Sequence, residues 1–207
     1  MLIWGIPLIP HLATNFIRQG CDRYIINYNH SIEEVGLFSF ALNLTNIIIM
    51  IGMGFNQSNS VEIYKVLGSK ELDAKAKVQR LNHQRKQIFW VYLTLSLMVC
   101  AAAYIMIPWI LPKYTKAIDY FLILAMYGFL QCVYFLFTNI LFFYKRTRLI
   151  MSITFISSII HLILSLVLTP YSLFATCAIY VLSQFLICLF IIFFSMKTLS
   201  EKVSNNG

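Results

Sequence analysis

Arg18, Asp22 and Arg23 stand inside the stretch Pro7 to Ile26, PLIPHLATNFIRQGCDRYII, which is otherwise apolar enough to enter a bilayer. At about 100° per residue, His11, Asn15, Arg18 and Asp22 follow the i, i+4, i+7, i+11 spacing and share one narrow helical face. The chemistry such a face offers is the holding of an anion. A guanidinium stays ionised and matches phosphate oxygens in pairs, while the aspartate can restrain the arginine or exchange an ion. Placing the charges in hydrocarbon costs roughly 2.5 to 3.5 kcal/mol each even on the lenient insertion scale. The face must therefore look onto protein or water. A plainer reading is an i, i+4 pair in which Asp22 neutralises Arg18, although an acid C-terminal to its base is the weaker order.

Three more polar lines occur at helical spacing in apolar surroundings. One is Ser39, Asn43, Asn46, Met50, Met53 and Gln57, another is Thr154, Ser158, His161 and Ser165, and the third is Thr176, Tyr180, Ser183 and Gln184. Together the four suggest a shared hydrophilic cavity. Small hydroxylated residues also line ordinary helix contacts in membranes, and the last two lines fit that use. Asn43, Asn46 and Gln57 are larger polar groups than packing needs. His161 has no partner within its own span and reads first as a hydrogen-bonded core histidine. Gly52, Met53 and Gly54 imitate the start of a dinucleotide loop, but no strand precedes them, so helix packing explains them better. GxSxG, Walker and HExxH motifs are absent, as is any pair of intramembrane carboxylates. The chain is not read as an enzyme, no metal or other cofactor is implied, and ATP-driven pumping lacks a nucleotide site.

The elements that must position these residues follow from composition. Of 207 residues, 59% are hydrophobic and 12% charged, and mean hydropathy is +0.75. A soluble domain carries about 25% charged residues. The fold class is therefore an all-α polytopic membrane protein. A span needs about 20 apolar residues, and on that rule six occur, at about 3–26, 35–55, 88–111, 120–144, 150–168 and 173–194. They form a single transmembrane unit over 1–196, with a basic loop at 65–87, expected to hold a short surface helix that touches lipid headgroups, and a tail at 197–207. Pro7 and Pro10 mark a kink or a late start in the first span. They also interrupt the apolar run, and no basic stretch precedes it, so no signal peptide is expected.

Net charge is +8, yet the basic residues sit between apolar runs and build no continuous face, which argues against nucleic acid. Twelve lysines and arginines fall in the 65–87 and 145–148 segments and the tail, against Lys113 and Lys116 on the other side. Both termini are expected in the cytoplasm. Cys21, Cys100, Cys132, Cys177 and Cys188 are scattered and imply neither disulfides nor a metal site.

GIPLIPHLATNFIRQGCDRYIINYN, followed by EEVGLFSFALNLTNII, GFNQSNSVEIYK and the later LPKYTKAIDYFLIL, resembles the second half of bacterial O-antigen flippases. These are the polysaccharide-transporter branch of the superfamily that includes the MATE exporters. The resemblance covers about the first 65 residues and 111–127. It implies a MATE-like lobe of six helices and a multi-pass protein of the bacterial inner membrane. It also implies translocation of undecaprenyl-pyrophosphate-linked O-antigen or other polysaccharide repeat units, in lipopolysaccharide biosynthesis, by rocking of two lobes driven by an ion gradient.

On that reading Arg18 and Arg23 attract the pyrophosphate or an acidic sugar. Asn15, Asn43, Asn46 and Gln57 contact the substrate, and Asp22 and His11 serve ion coupling or charge pairing. The partners implied are the lipid-linked oligosaccharide, membrane lipids and a second six-helix lobe, from another copy or a separate chain. Because Met1 opens directly into what would be the seventh helix, a fragment, a truncated product or a half-transporter is expected. The competing functions are a MATE-type small-molecule exporter lobe and a non-transporting membrane component of glycan assembly.

Overall fold

The computed structural model describes residues 8–204, with side chains at residue 18, 20–73 and 75–202. His11 and Asn15 belong to the first helix by backbone, but their side chains lie outside the described residues. Six α-helices follow one another: α1 Leu8–Asn29, α2 Ile32–Gly68, α3 Ala74–Ile110, α4 Ala117–Phe143, α5 Thr147–Leu168 and α6 Leu173–Ser204. A short 3₁₀ turn, Pro112–Tyr114, joins α3 to α4, and no strand occurs among the described residues. Helices α2 to α6 are long and apolar enough to cross a membrane. Their outward surfaces carry large aliphatic and aromatic side chains, such as Trp109, Ile156, Leu166 and Phe193, as a lipid-facing surface requires.

Local chemistry explains the breaks. Asn29 Nδ2 donates to the Ile25 carbonyl at 2.8 Å and closes α1, and Ser31 starts α2 with a capping box. In that box the Glu34 N–H donates to Ser31 Oγ at 3.3 Å while the Ser31 N–H donates to Glu34 Oε2 at 3.1 Å. The turn between α4 and α5 is a Schellman motif: the Arg146 N–H donates to the Leu141 carbonyl and the Lys145 N–H to that of Phe142. It places Lys145 at φ 58°, where glycine is usual.

The basic segment 65–87 differs from the expected loop with a surface helix. Only residues 69–73 break the backbone, and α2 and α3 run through the rest. From Ala74 the sequence AKAKVQRL consists largely of good helix formers with no breaker before Pro108, so the helix continues into its span. At 37 residues each, α2 and α3 measure roughly 55 Å and project beyond a hydrocarbon core of about 30 Å. A second apolar cluster, Ile63, Val66, Leu67, Leu81, Ile140 and Leu199, ties the projecting ends together.

Helix α4 is the hub, packed against α2 on one side and α6 on the other, while α5 packs on α6 and carries α1. The α2–α4 approach depends on glycine. A Cβ on Gly128 would meet Thr45 Cγ2 at 3.0 Å, and one on Gly52 would collide with Cys132 Sγ. In lipid, where apolar side chains gain little by leaving their solvent, close backbone approach of this kind holds helices together. Gly54, by contrast, has open space around it.

Candidate functional site

The polar residues of α1, α5 and α6 converge in the interior. Arg18 is only 6% exposed, and Asp22 and His161 are fully buried. Arg18 lies roughly 15 Å from the start of α1 and Gln184 roughly 17 Å from the opposite-facing start of α6, so the antiparallel helices meet near mid-depth.

Both oxygens of Asp22 have donors. Ser165 Oγ donates to Oδ1 at 2.5 Å, and His161 Nε2 lies 2.8 Å from Oδ2. An ionised carboxylate only accepts, which puts the proton on Nε2 and leaves Nδ1 facing Ser183 Oγ at 3.0 Å. Behind Ser165 the hydroxyls continue, with Thr169 Oγ1 at 3.1 Å and Thr176 Oγ1 donating to Thr169 Oγ1 at 3.0 Å. Tyr180 closes the cluster: its hydroxyl donates to the Arg18 carbonyl at 2.6 Å and its ring stands edge-on to His161 at 4.9 Å.

Arg18 turns away from Asp22. Its Nη2 donates to Gln184 Oε1 at 3.2 Å, and its guanidinium carbon lies 5.6 Å from the centre of the Tyr127 ring. Its Nε has no partner among the described residues. The two charges of α1 are thus held by different helices, Asp22 mainly by α5 and Arg18 by α6 and α4. A buried charged group that loses its hydrogen-bond partners is left unsatisfied at high cost, so the arrangement binds α1 to its neighbours.

Residues 7–167 match the MatE family. The chain belongs to that family. MatE proteins are membrane transporters, and this chain is a multi-pass membrane protein. It is also similar to "Lsg locus putative protein 1" of Haemophilus influenzae, with 26% identity over 171 residues, 78% of this chain and 39% of that relative. The chain therefore spans well under half the length of this curated relative. No solved structure matches it at the same stringency.

Within this MatE chain the remaining candidates lie elsewhere. Arg23 is exposed on another face of α1. Asn43 and Gln57 are exposed and Asn46 half-buried, in line with the exposed Met50 and Met53, on the side of α2 opposite its contact with α4. The single cavity suggested by four polar lines thus separates into an inward network from α1, α5 and α6 and an outward stripe on α2. The residues that sequence reasoning passed over are Tyr127 and Thr169. Tyr127 is one aromatic among many in the hydrophobic α4, and Thr169 sits in the α5–α6 turn. Neither carried a sequence signal.

Proposed function

We propose that this chain is one six-helix lobe of a flippase for undecaprenyl-pyrophosphate-linked oligosaccharide repeat units, of O-antigen or a similar polysaccharide. It works in the bacterial inner membrane with both termini in the cytoplasm. MatE membership, the resemblance to O-antigen flippases and the cytoplasmic bias of lysine and arginine support this reading. The observation that carries it is the buried charged network joining α1 to α5 and α6.

The geometry suggests a division of labour. Asn43, Asn46 and Gln57 on the outward stripe offer hydrogen bonds to sugar hydroxyls, opposite a second lobe. The exposed Arg23 meets the pyrophosphate first, and Arg18 joins it when α1 shifts away from α6. Asp22 and His161 are the coupling element. A proton on the carboxylate cancels its negative charge, weakens the bonds it accepts from Ser165 and His161, loosens the hold of α5 on α1 and so links lobe movement to an ion gradient. The prenyl tail stays in lipid, since a polar groove offers it no driving force.

The test is complementation of a strain lacking its own flippase, with the lobe expressed alongside whatever completes its protein. Wild type restores surface glycan, whereas Arg18→Ala and Asp22→Asn reduce it to a small fraction. Normal glycan with both variants overturns the assignment. A single buried acid is also what an exporter of cationic small molecules would use. Drug resistance dependent on Asp22, with no glycan restored, would establish that second reading instead.

A further inference from the structure

A second arginine is buried far from the network just described. Arg85 on α3 is 7% exposed. Its contact Met196 lies twelve residues beyond Gln184 on α6, roughly 18 Å toward the end of the bundle where the basic residues gather. Arg85 Nη1 donates to Asn82 Oδ1 at 3.2 Å and points at Met196 Sδ, also at 3.2 Å, and the guanidinium lies 4.9 Å above the Phe137 ring. A thioether is a weak acceptor. Arg85 Nε and Nη2 are buried without a hydrogen-bond partner, and no carboxylate lies within 4.0 Å among the described residues. Arg18, by comparison, has a side-chain amide partner in Gln184.

A desolvated guanidinium with two idle donor nitrogens and no counter-charge among the described residues is costly unless an anion completes it. The surroundings suit one. Helices α3 and α6 touch each other little, and both pack on α4, whose Phe137 ring lies beneath the guanidinium. Asn82 and Met196, which cover Arg85, are themselves exposed. Methionine is flexible enough to swing aside. The next residues along, Lys86 and Lys197, are exposed and basic. On α6, Ser195 Oγ and Thr198 Oγ1 are fully buried hydroxyls with no partner among the described residues, one and two residues from Met196.

We propose that Arg85 is the centre of an anion site for a phosphate group, reached between α3 and α6, past Asn82 and Met196, at the level of the cytoplasmic headgroups. The phosphate belongs to an anionic lipid or is free in solution. The guanidinium edge bearing Nε and Nη2 takes two phosphate oxygens, and Lys86 and Lys197 raise the local concentration of anions. This site is independent of the flippase reading and of the Arg18 network.

Thermal unfolding of the purified full chain tests it without any transport readout. The chain is reconstituted in phosphatidylcholine vesicles, in the same vesicles with phosphatidylglycerol admixed, and in phosphatidylcholine with inorganic phosphate added. Occupancy well above the dissociation constant raises the midpoint by roughly 5 °C. A rise with phosphatidylglycerol alone assigns the site to lipid, and an equal rise with inorganic phosphate assigns it to the free anion. No rise with either overturns the proposal. Arg85→Met abolishes the rise, whereas the double variant Lys86→Gln, Lys197→Gln keeps most of it. A rise that survives Arg85→Met, or one lost with the two lysines, overturns the site. Should Arg85→Met fail to fold, Arg85→Lys decides the matter. It keeps the charge but loses the fork, so the rise drops to less than half, and an undiminished rise overturns the assignment.

Discussion

On α5, Thr154, Ser158, His161 and Ser165 turn into the bundle, where His161 and Ser165 meet Asp22 of α1, whereas on α2 Asn43, Met50, Met53 and Gln57 turn away from it. The two stripes have nearly the same spacing, so spacing alone does not decide their fate. The opposite face of each helix does. On α2 that face is Ala41, Thr45, Ile48 and Gly52, small enough at two positions for α4 to come close. On α5 it includes Ile156, Ile159, Ile163 and Leu166, all exposed and bulky, which fits a surface turned to lipid. A polar stripe backed by small residues points outward, and one backed by large aliphatics points inward.

The strongest way to break the inward half of this contrast is Asp22→Ala. It leaves His161 Nε2 and Ser165 Oγ facing each other across a site with no acceptor. Leaving buried donors without an acceptor costs about 1–3 kcal/mol each, together roughly 10 °C in the midpoint of a chain this size. Asp22→Asn keeps an acceptor for Ser165 and costs about 1–2 kcal/mol. Denaturation of the purified variants in detergent measures both. Equal, small losses would show that the network is not what holds α1.

The outward half is broken by separating α2 from α4. Gly128→Val places methyl groups where even a Cβ meets Thr45 Cγ2 at 3.0 Å and the Ile48 Cβ at 3.5 Å. The neighbours there are side chain and backbone of a rigid helix, so the two helices must part. Overpacking of this kind costs about 1–3 kcal/mol. The same change at Gly54, which has open space around it, costs at most the helix propensity of valine relative to glycine and should be near neutral or favourable. Unfolding midpoints of the two variants compare the sites directly.

Much of the architecture was legible from residues alone. Apolar runs long enough to span, bounded by prolines and basic clusters, give an all-helical membrane protein with six helices. The charged face of α1 was legible too, because arginine and aspartate in an apolar run are expensive wherever they lie. Their partners were not. His161 is 139 residues from Asp22, and Gln184 is 166 residues from Arg18. Helix pairing in lipid is settled by shape and hydrogen bonding across helices, which no single helix displays. The projecting start of α3 was hidden for another reason: a polar helix outside the hydrocarbon has the composition of a loop.

The smallest effect sharpens the contrast most. The double variant Asn43→Ala, Gln57→Ala removes two exposed side chains from the outward face of α2, and among the described residues no hydrogen bond of either side chain is seen. The cost in stability should stay within about 0.5 kcal/mol, since exposed substitutions away from packed features rarely exceed that. If the stripe lines the path of a sugar between two lobes, surface glycan in the complementation strain falls although the midpoint does not move. Unchanged glycan would leave the stripe as mere lipid-facing or lobe-facing surface. A fall in both readouts would mean that the two residues support the fold, and the distinction between an inward structural network and an outward working surface would be lost.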